Sequence, residues 1–459
     1  MKKIKLKLSI IAIATAFMSS CNPFQIDEIQ DPNNPSIESV AKDATKDQIQ
    51  YLITGLEDRH RGYVSNVTRS WGTFGREIWN LNASDPRNQT DWLGQNGRVP
   101  DRSYFGFGNT GGGSWASPYQ AIKQADVLIL AGENTVNISP EEKSASVGFA
   151  KTIQGYQFMI PANWVYSNGI RMDVKDPLNP GPFVPYEQAL DAIKVILDEG
   201  DQALQAAGTG GFPFVLTTGF DDFNTIPQLR EVNRAILARL NSYRKDWQGV
   251  LTALDDSFMN LNGDLYAGPS HPYGAAPDIF NPLFYKLDAE VNSIIVVHPS
   301  MLDDATPGDK RVAQKFYKRV EPVLVSTDAG SLVGEYQDKR WETNTEVIPF
   351  IRNEELILLK AEAHAQLDQT SEAVAAINII RTAAGIGSYT GGTSKDQLID
   401  EILYQRRYSL WAEPWGHRWI DARRYGKLGE IDTSYDKGTI FTEFPHPQAE
   451  LSWDKYKGD

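Results

Sequence analysis

The sequence predicts a mainly α-helical fold in which tetratricopeptide-like helical hairpins carry a large, irregular, loop-rich lobe. Three observations predict it. Three stretches share one plan: an Ala- and aromatic-rich helix, a break, and a second helix with small residues on its inner face. Two long segments, about 66–113 and 260–349, interrupt that plan with Gly, Pro, Asn and Asp and no sustained period. These insertions defeat a strict repeat of about 34 residues, so a decorated array is expected rather than a regular solenoid.

The chain opens with Lys2, Lys3, Lys5 and Lys7, an apolar run from Leu8 to Met18, and then Ser19-Ser20-Cys21. The apolar run is short of the ~20 residues that cross a bilayer. Small residues directly before a cysteine resemble a lipobox, so residues 1–20 are expected to be a lipoprotein signal peptide and Cys21 the lipid-bearing first residue. Residues 21–35, with Asp27-Glu28 and Asp31-Pro32-Asn33-Asn34-Pro35, form an acidic, turn-rich tether. Residues 36–459 are expected to form one domain. Cys21 is the only cysteine, so no intramolecular disulfide can form, and the 41% hydrophobic content has to supply the core.

Past the tether, Val40, Ile49, Leu52, Ile53 and Leu56 fall on one helical stripe that ends near Gly62. The segment 66–113 then reads as long loops carrying short turns. Helical spacing returns at Ser117 to Leu130 and at Lys143 to Tyr166. Three hairpins follow from the shared plan: Phe149–Tyr166 with Tyr186–Ile193, Val232–Tyr243 with Trp247–Leu254, and Glu354–Leu367 with Glu372–Ile377. In the last of these Leu356, Leu359, Ala363 and Leu367 make the stripe, Thr370 or Ser371 is the expected N-cap, and Gly385 ends the second helix. Between 260 and 349, Ser293–His298 and Val320–Ser326 read as β-like runs. A final helical block, Ser394 to Lys427, is broken at Pro414-Trp415-Gly416.

A formal charge of −14, four units more negative once the lysines of residues 1–20 are removed, makes nucleic acid and anionic lipid poor partners. Nucleophile-elbow, zinc-protease and phosphate-loop motifs are all missing, and the six histidines are scattered. No catalytic residue, metal site or cofactor is therefore assigned. What stands out is aromatic density in the two irregular segments: Trp71, Phe74, Trp79, Trp92, Tyr104, Phe105, Phe107 and Trp115 in or beside the first, and Tyr266, Tyr273, Phe280, Phe284 and Tyr285 in the second. Rings can stack on the apolar faces of sugars while nearby amides and guanidinium groups take the hydroxyls. The expected ligand-binding set is Trp79 and Trp92 with Arg87 and Asn96, faced by Tyr273 and Tyr285; Trp115 and Trp247 are assigned to packing.

The block Arg406-Arg407-Tyr408-Ser409-Leu410-Trp411-Ala412-Glu413-Pro414-Trp415-Gly416-His417-Arg418-Trp419-Ile420-Asp421-Ala422-Arg423-Arg424-Tyr425-Gly426 resembles the C-terminal signature of the SusD/RagB family. Pro414-Trp415 is inserted where that pattern has Glu directly before Gly. Asn353 to Ala363 is similar to the family's preceding helix, and Asp31 to Pro35 to its mature start. Arg418, Asp421 and Arg424 can pair at helical spacing, with Trp419 beneath them. The resemblance implies a non-catalytic outer-membrane lipoprotein, facing the cell exterior, that captures glycan and delivers it to a SusC-like TonB-dependent transporter. It also leaves open a peptide-binding RagB-like member, or less in keeping with the motifs, a surface glycoside hydrolase.

Overall fold

The computed structural model describes residues 41–100, 112–176, 178–290 and 292–457. Cys21, the signal, the tether and the rings of Tyr104, Phe105 and Phe107 lie outside them.

The helices start where capping chemistry lets them. Helix α1 (Lys46–His60) opens on a Thr45–Gln48 capping box, in which each side chain satisfies the other's backbone N–H. Helix α2 spans Val64–Phe74 and strand β1 Ile78–Asn82. Helix α3 is Gly112–Asn134, and α4 (Pro140–Val165) begins with a Ser139–Glu142 capping box and a proline at its first position. Next come α5 (Tyr186–Ala206), α6 (Ile226–Arg244, capped by Thr225) and α7 (Trp247–Asp255, capped by Asp246). Strands β2 (Ser293–Val297), β3 (Phe316–Thr327) and β4 (Gly330–Asp338) precede α8 (Asn353–Gln366), α9 (Thr370–Ala384), α10 (Lys395–Ser409), α11 (His417–Arg424) and α12 (Gln448–Lys457).

The three hairpins form as the sequence predicts: α4 packs on α5, α6 on α7, and α8 on α9. Small inner-face residues explain how closely they approach. A Cβ added at Gly155 of α4 would lie 2.5 Å from Leu197 Cδ2 of α5, so only glycine admits that side chain. Asn233 of α6 locks the pair by donating to Thr152 Oγ1 of α4 (2.7 Å) and to the Leu197 carbonyl of α5 (3.1 Å). The α8–α9 turn departs from expectation. Asp368 takes a left-handed conformation, φ +59°, and α9 starts at Thr370 with no side-chain cap.

The segment 66–113 is more ordered than its composition suggests. Helix α2 carries Val64, Val67, Trp71 and Phe74 at helical spacing, and it is buried on nearly every side, polar residues included. Its Ser70 and Thr73 hydroxyls donate back to the Asn66 and Arg69 carbonyls, both at 2.6 Å, which allows polar residues inside the core. Strand β1 then pairs antiparallel with β2, Ile78 opposite Val297 and Asn82 opposite Ser293. The resulting four-stranded sheet, in the order β1-β2-β4-β3, stitches the two irregular segments into one lobe.

The C-terminal block seals helices and lobe together. Trp71 of α2 stacks on Trp164 of α4 (6.0 Å), Trp164 on Phe444 (3.8 Å), and Trp419 of α11 closes edge-on against Trp71 (5.7 Å). Gly416, at φ +62°, sets the start of α11, and a Cβ there would run into Trp71. Asp421 pairs with Arg424 (2.8 Å) as anticipated, but its second partner is Arg406 (2.6 Å). Arg418 instead donates to the Arg76 carbonyl (2.8 Å).

Candidate functional site

The expected ligand-binding residues divide sharply by burial. Trp79 and Trp92 are only 2% and 1% exposed, so neither ring presents a face to a ligand. Trp79 sits on β1 opposite Val296, edge-on to His298 at 4.9 Å, and Trp92 lies edge-on to Phe74 at 6.1 Å. Sheet pairing and core packing claim both rings. Tyr273 is 6% exposed beneath the Arg61 guanidinium, 5.4 Å from its ring centre. Tyr285 is half-buried, packs against the cluster holding Trp79, and accepts a hydrogen bond from Arg69 at 2.7 Å. Arg87 and Asn96 are exposed; Arg87 pairs with its neighbour Asp85 at 2.9 Å. The structure brings the two segments together as expected, but their contact is core rather than a binding face. Trp115 and Trp247 pack as assigned.

The open site lies elsewhere on the same lobe. A cavity of about 450 Å³ is lined by Tyr266, Lys315, Trp341, Arg352, Glu413 and Pro414, with Gln314, Arg340 and residues 347–349 completing its wall. It is larger than the hollows around Arg171, about 350 Å³, and Tyr435, about 330 Å³. Tyr266 is 58% exposed, a large ring left in solvent at the mouth. Trp341 is half-buried, and its indole N–H is buried without an acceptor.

Backbone pairing positions these groups. The Lys339 N–H donates to the Lys315 carbonyl at 3.0 Å, holding the end of the Lys310–Lys315 helix beside residues 339–341. Ser270–His271 pairs with Ile348–Pro349, which sets the wall between Tyr266 and α8. Arg352, directly before α8, donates to Glu413 (2.7 Å) and the Ser409 carbonyl (2.7 Å), and is ion-paired with Glu354. Its guanidinium lies 4.7 Å from the Tyr266 ring centre, so the ring is held from behind by a cation. The inserted Pro414-Trp415 has a structural reading here: Pro414 joins the cavity wall while Trp415 is buried below it, under the Arg239 guanidinium at 4.2 Å.

Charge in the wall is mostly settled internally. Arg340 pairs with Asp338 at 2.7 Å and lies 5.2 Å from the Trp341 ring centre. Burial opposes the charge on Arg352, yet Glu413 and Glu354 beside it win and raise its pKa. Burial likewise opposes the Glu354 carboxylate, but Arg352 and Lys315 hold its pKa below the usual range. Lys315 is the exception: burial pushes its pKa down to about 7. No group of three or more His, Cys, Asp or Glu suited to a metal ion occurs among the described residues.

Tyr266 is legible in the sequence as one of the loop aromatics, whereas Lys315, Arg340, Trp341, Arg352 and Glu413 stand outside the expected ligand-binding set. The adjacent Arg340-Trp341 in a polar stretch, and the Pro414-Trp415 insertion, were the available signals.

Residues 327–457 match the SusD family profile. A curated SusD-like protein of Formosa agariphila is 41% identical over 96 residues, a match that spans 19% of this chain and 18% of that protein's length. Among solved structures, surface glycan-binding protein A from Bacteroides uniformis superposes with a TM-score of 0.65 at 13% identity, covering 90% of this chain and 98% of the other. The corresponding protein from Bacteroides thetaiotaomicron, in complex with laminarihexaose, gives 0.64 at 12% identity with the same coverage. NanU of B. fragilis gives 0.61 at 15%, covering 92% and 97%. At these identities the superpositions establish the fold.

Proposed function

We propose, from the premise that this chain is SusD-like in its C-terminal sequence and throughout its fold, that it is a non-catalytic cell-surface protein that captures glycan for an outer-membrane importer. The supporting observation is the open cavity in which the solvent-exposed ring of Tyr266 and the half-buried ring of Trp341 flank the polar groups of Gln314, Lys315, Arg340 and Glu413. Two rings and convergent polar groups are what an oligosaccharide requires: apolar faces to stack, and donors and acceptors to orient its hydroxyls. The glycan complex of the B. thetaiotaomicron protein supports the ligand class. The resemblance supports delivery to a SusC-like TonB-dependent transporter as the partner.

Affinity electrophoresis of the purified protein against a polysaccharide panel tests capture, and an assay for new reducing ends separates it from hydrolysis. Retardation without new ends is expected. New ends would make it a glycoside hydrolase, and binding confined to peptides would make it the RagB-like alternative.

The anchor belongs to the same reading. No helix among the described residues is long and apolar enough to cross a membrane. Lipid on Cys21 is therefore assigned the task of holding the protein to the outer membrane, with the acidic Asp27-Glu28 behind it. Cys21→Ala should leave a folded protein that fractionates away from membranes, and retention of that variant in the outer membrane would remove the lipid anchor from the proposal.

A further inference from the structure

We infer that the cavity selects acidic sugars, whose carboxylate or sulfate oxygens are received jointly by the Lys315 ammonium and the Trp341 indole N–H. This rests on the glycan-capture reading and adds a charge class to it.

The inference comes from two donors that the fold leaves incompletely matched at one wall. Lys315 is 3% exposed. Its Nζ donates to the Tyr408 and Ser409 carbonyls, at 2.6 and 2.5 Å, which leaves the third of its N–H donors without a protein acceptor. Among the described residues no carboxylate is ion-paired with it, whereas Arg340 is neutralised by Asp338 and Arg352 by Glu354 and Glu413. A buried ammonium bonded only to carbonyl oxygens, with Glu354 and Glu413 acting on it from beyond ion-pair distance, is costly, and an incoming anion relieves that cost. The second donor is the Trp341 N–H, buried without an acceptor.

The two belong to one place. The Lys339–Lys315 backbone bond sets residue 315 two positions from Trp341 across the pair, and both residues line the same cavity. A carboxylate or sulfate offers two or more acceptor oxygens, enough to meet both donors at once, and a neutral hydroxyl offers fewer and no charge. The rings favour a sugar as the bearer of that anion: Tyr266, 58% exposed, supplies a stacking face beside it. Burial also leaves Lys315 with a pKa of about 7, so an anion beside it would draw the proton on.

The test uses the full chain and matched pairs of polymers: alginate, polygalacturonate and hyaluronan beside their carboxyl-reduced forms, and carrageenan beside its desulfated form. Affinity should be about tenfold or more higher for the acidic member of at least one pair. Lys315→Met, which keeps the apolar stem, should weaken binding of the acidic member about tenfold more than binding of the neutral member, so that the preference is lost. Trp341→Phe, which keeps a ring and removes the N–H, should reduce the preference on its own. Equal affinity within every pair overturns the inference and leaves glycan capture standing. A preference that survives both substitutions overturns the assignment to these residues. Binding of peptides with no polymer bound, acidic or neutral, overturns the capture reading itself.

Discussion

Trp92 and Tyr266 separate the two things an aromatic side chain can do. Trp92 reads as a binding ring because polar residues surround it in sequence, yet Phe74 and the core take it almost completely out of water. Trp92→Ala should therefore remove about 3–5 kcal/mol of stability, seen as a lower urea midpoint, while the folded fraction keeps its glycan affinity. Tyr266 has the opposite balance, since most of its ring is exposed and its main support is the Arg352 guanidinium. Tyr266→Ala should weaken glycan binding by roughly 1–2 kcal/mol, about 5- to 30-fold, with little change in melting temperature. Equilibrium titration beside thermal melts of both variants would show the crossover, and a steep fall in melting for Tyr266→Ala would place that ring in the core instead.

At the scale of elements, legibility followed the range of the interactions that fix each piece. The hairpins could be read because the stripe on α8 and the small residues of α9 lie within one stretch of chain. Helix α2 was harder to place, because its Val64, Val67, Trp71 and Phe74 stripe is only eleven residues long in a polar segment, and its burial comes from α3, α4, α11 and β1, all but β1 distant in sequence. Trp79 was misplaced for a similar reason: its burial depends on pairing between β1 and β2, more than two hundred residues apart. Lys315 looks like any surface lysine until the carbonyls that end α10 cover it. The C-terminal signature was legible as structural, and α11 shows why. Asp421 is the shared carboxylate between Arg406 of α10 and Arg424 of α11, and Arg424 reaches on to Glu362 of α8 at 2.8 Å. Asp421→Ala would strand the buried Arg406 guanidinium and leave Arg424 with Glu362 as its one carboxylate partner. It should cost about 3–5 kcal/mol, measured by chemical denaturation, whereas a surface carboxylate such as Asp85 removed the same way should cost well under about 1 kcal/mol.

Over the whole molecule, buried titratable groups set how the fold responds to acid. Burial lowers the pKa of His60 to about 3 and of His298 to about 4, and drives His271 and His417 well below the ordinary 6.5. These imidazoles stay neutral in the fold, so as pH falls through 6.5 the unfolded chain takes up protons that the folded chain refuses. Stability is lost in that direction. Burial raises Asp126 and Glu231, which act in the opposite sense, and two carboxylates do so strongly: burial raises Glu57 to about 7, against the Thr217 hydrogen bonds, and raises Glu77 likewise against Arg418. Both are protonated in the fold below their raised values, so acidification from 7 towards the ordinary 4.5 favours the folded state through them. Four histidines, joined by carboxylates held low such as Glu354 and Asp421, oppose the two glutamates with Asp126 and Glu231, and the unfolded chain is the greater proton binder between about 4.5 and 6.5. By linkage, stability should rise with pH across that window. Denaturant midpoints measured at half-unit steps should climb from pH 4.5 to 6.5, and a flat or falling series would mean the imidazoles are not held neutral. Glu57→Gln sharpens the test. The amide keeps the acceptor oxygen that Thr217 uses (2.9 and 2.7 Å) but cannot titrate, so removing one of the strongest opposing groups should steepen the acid loss.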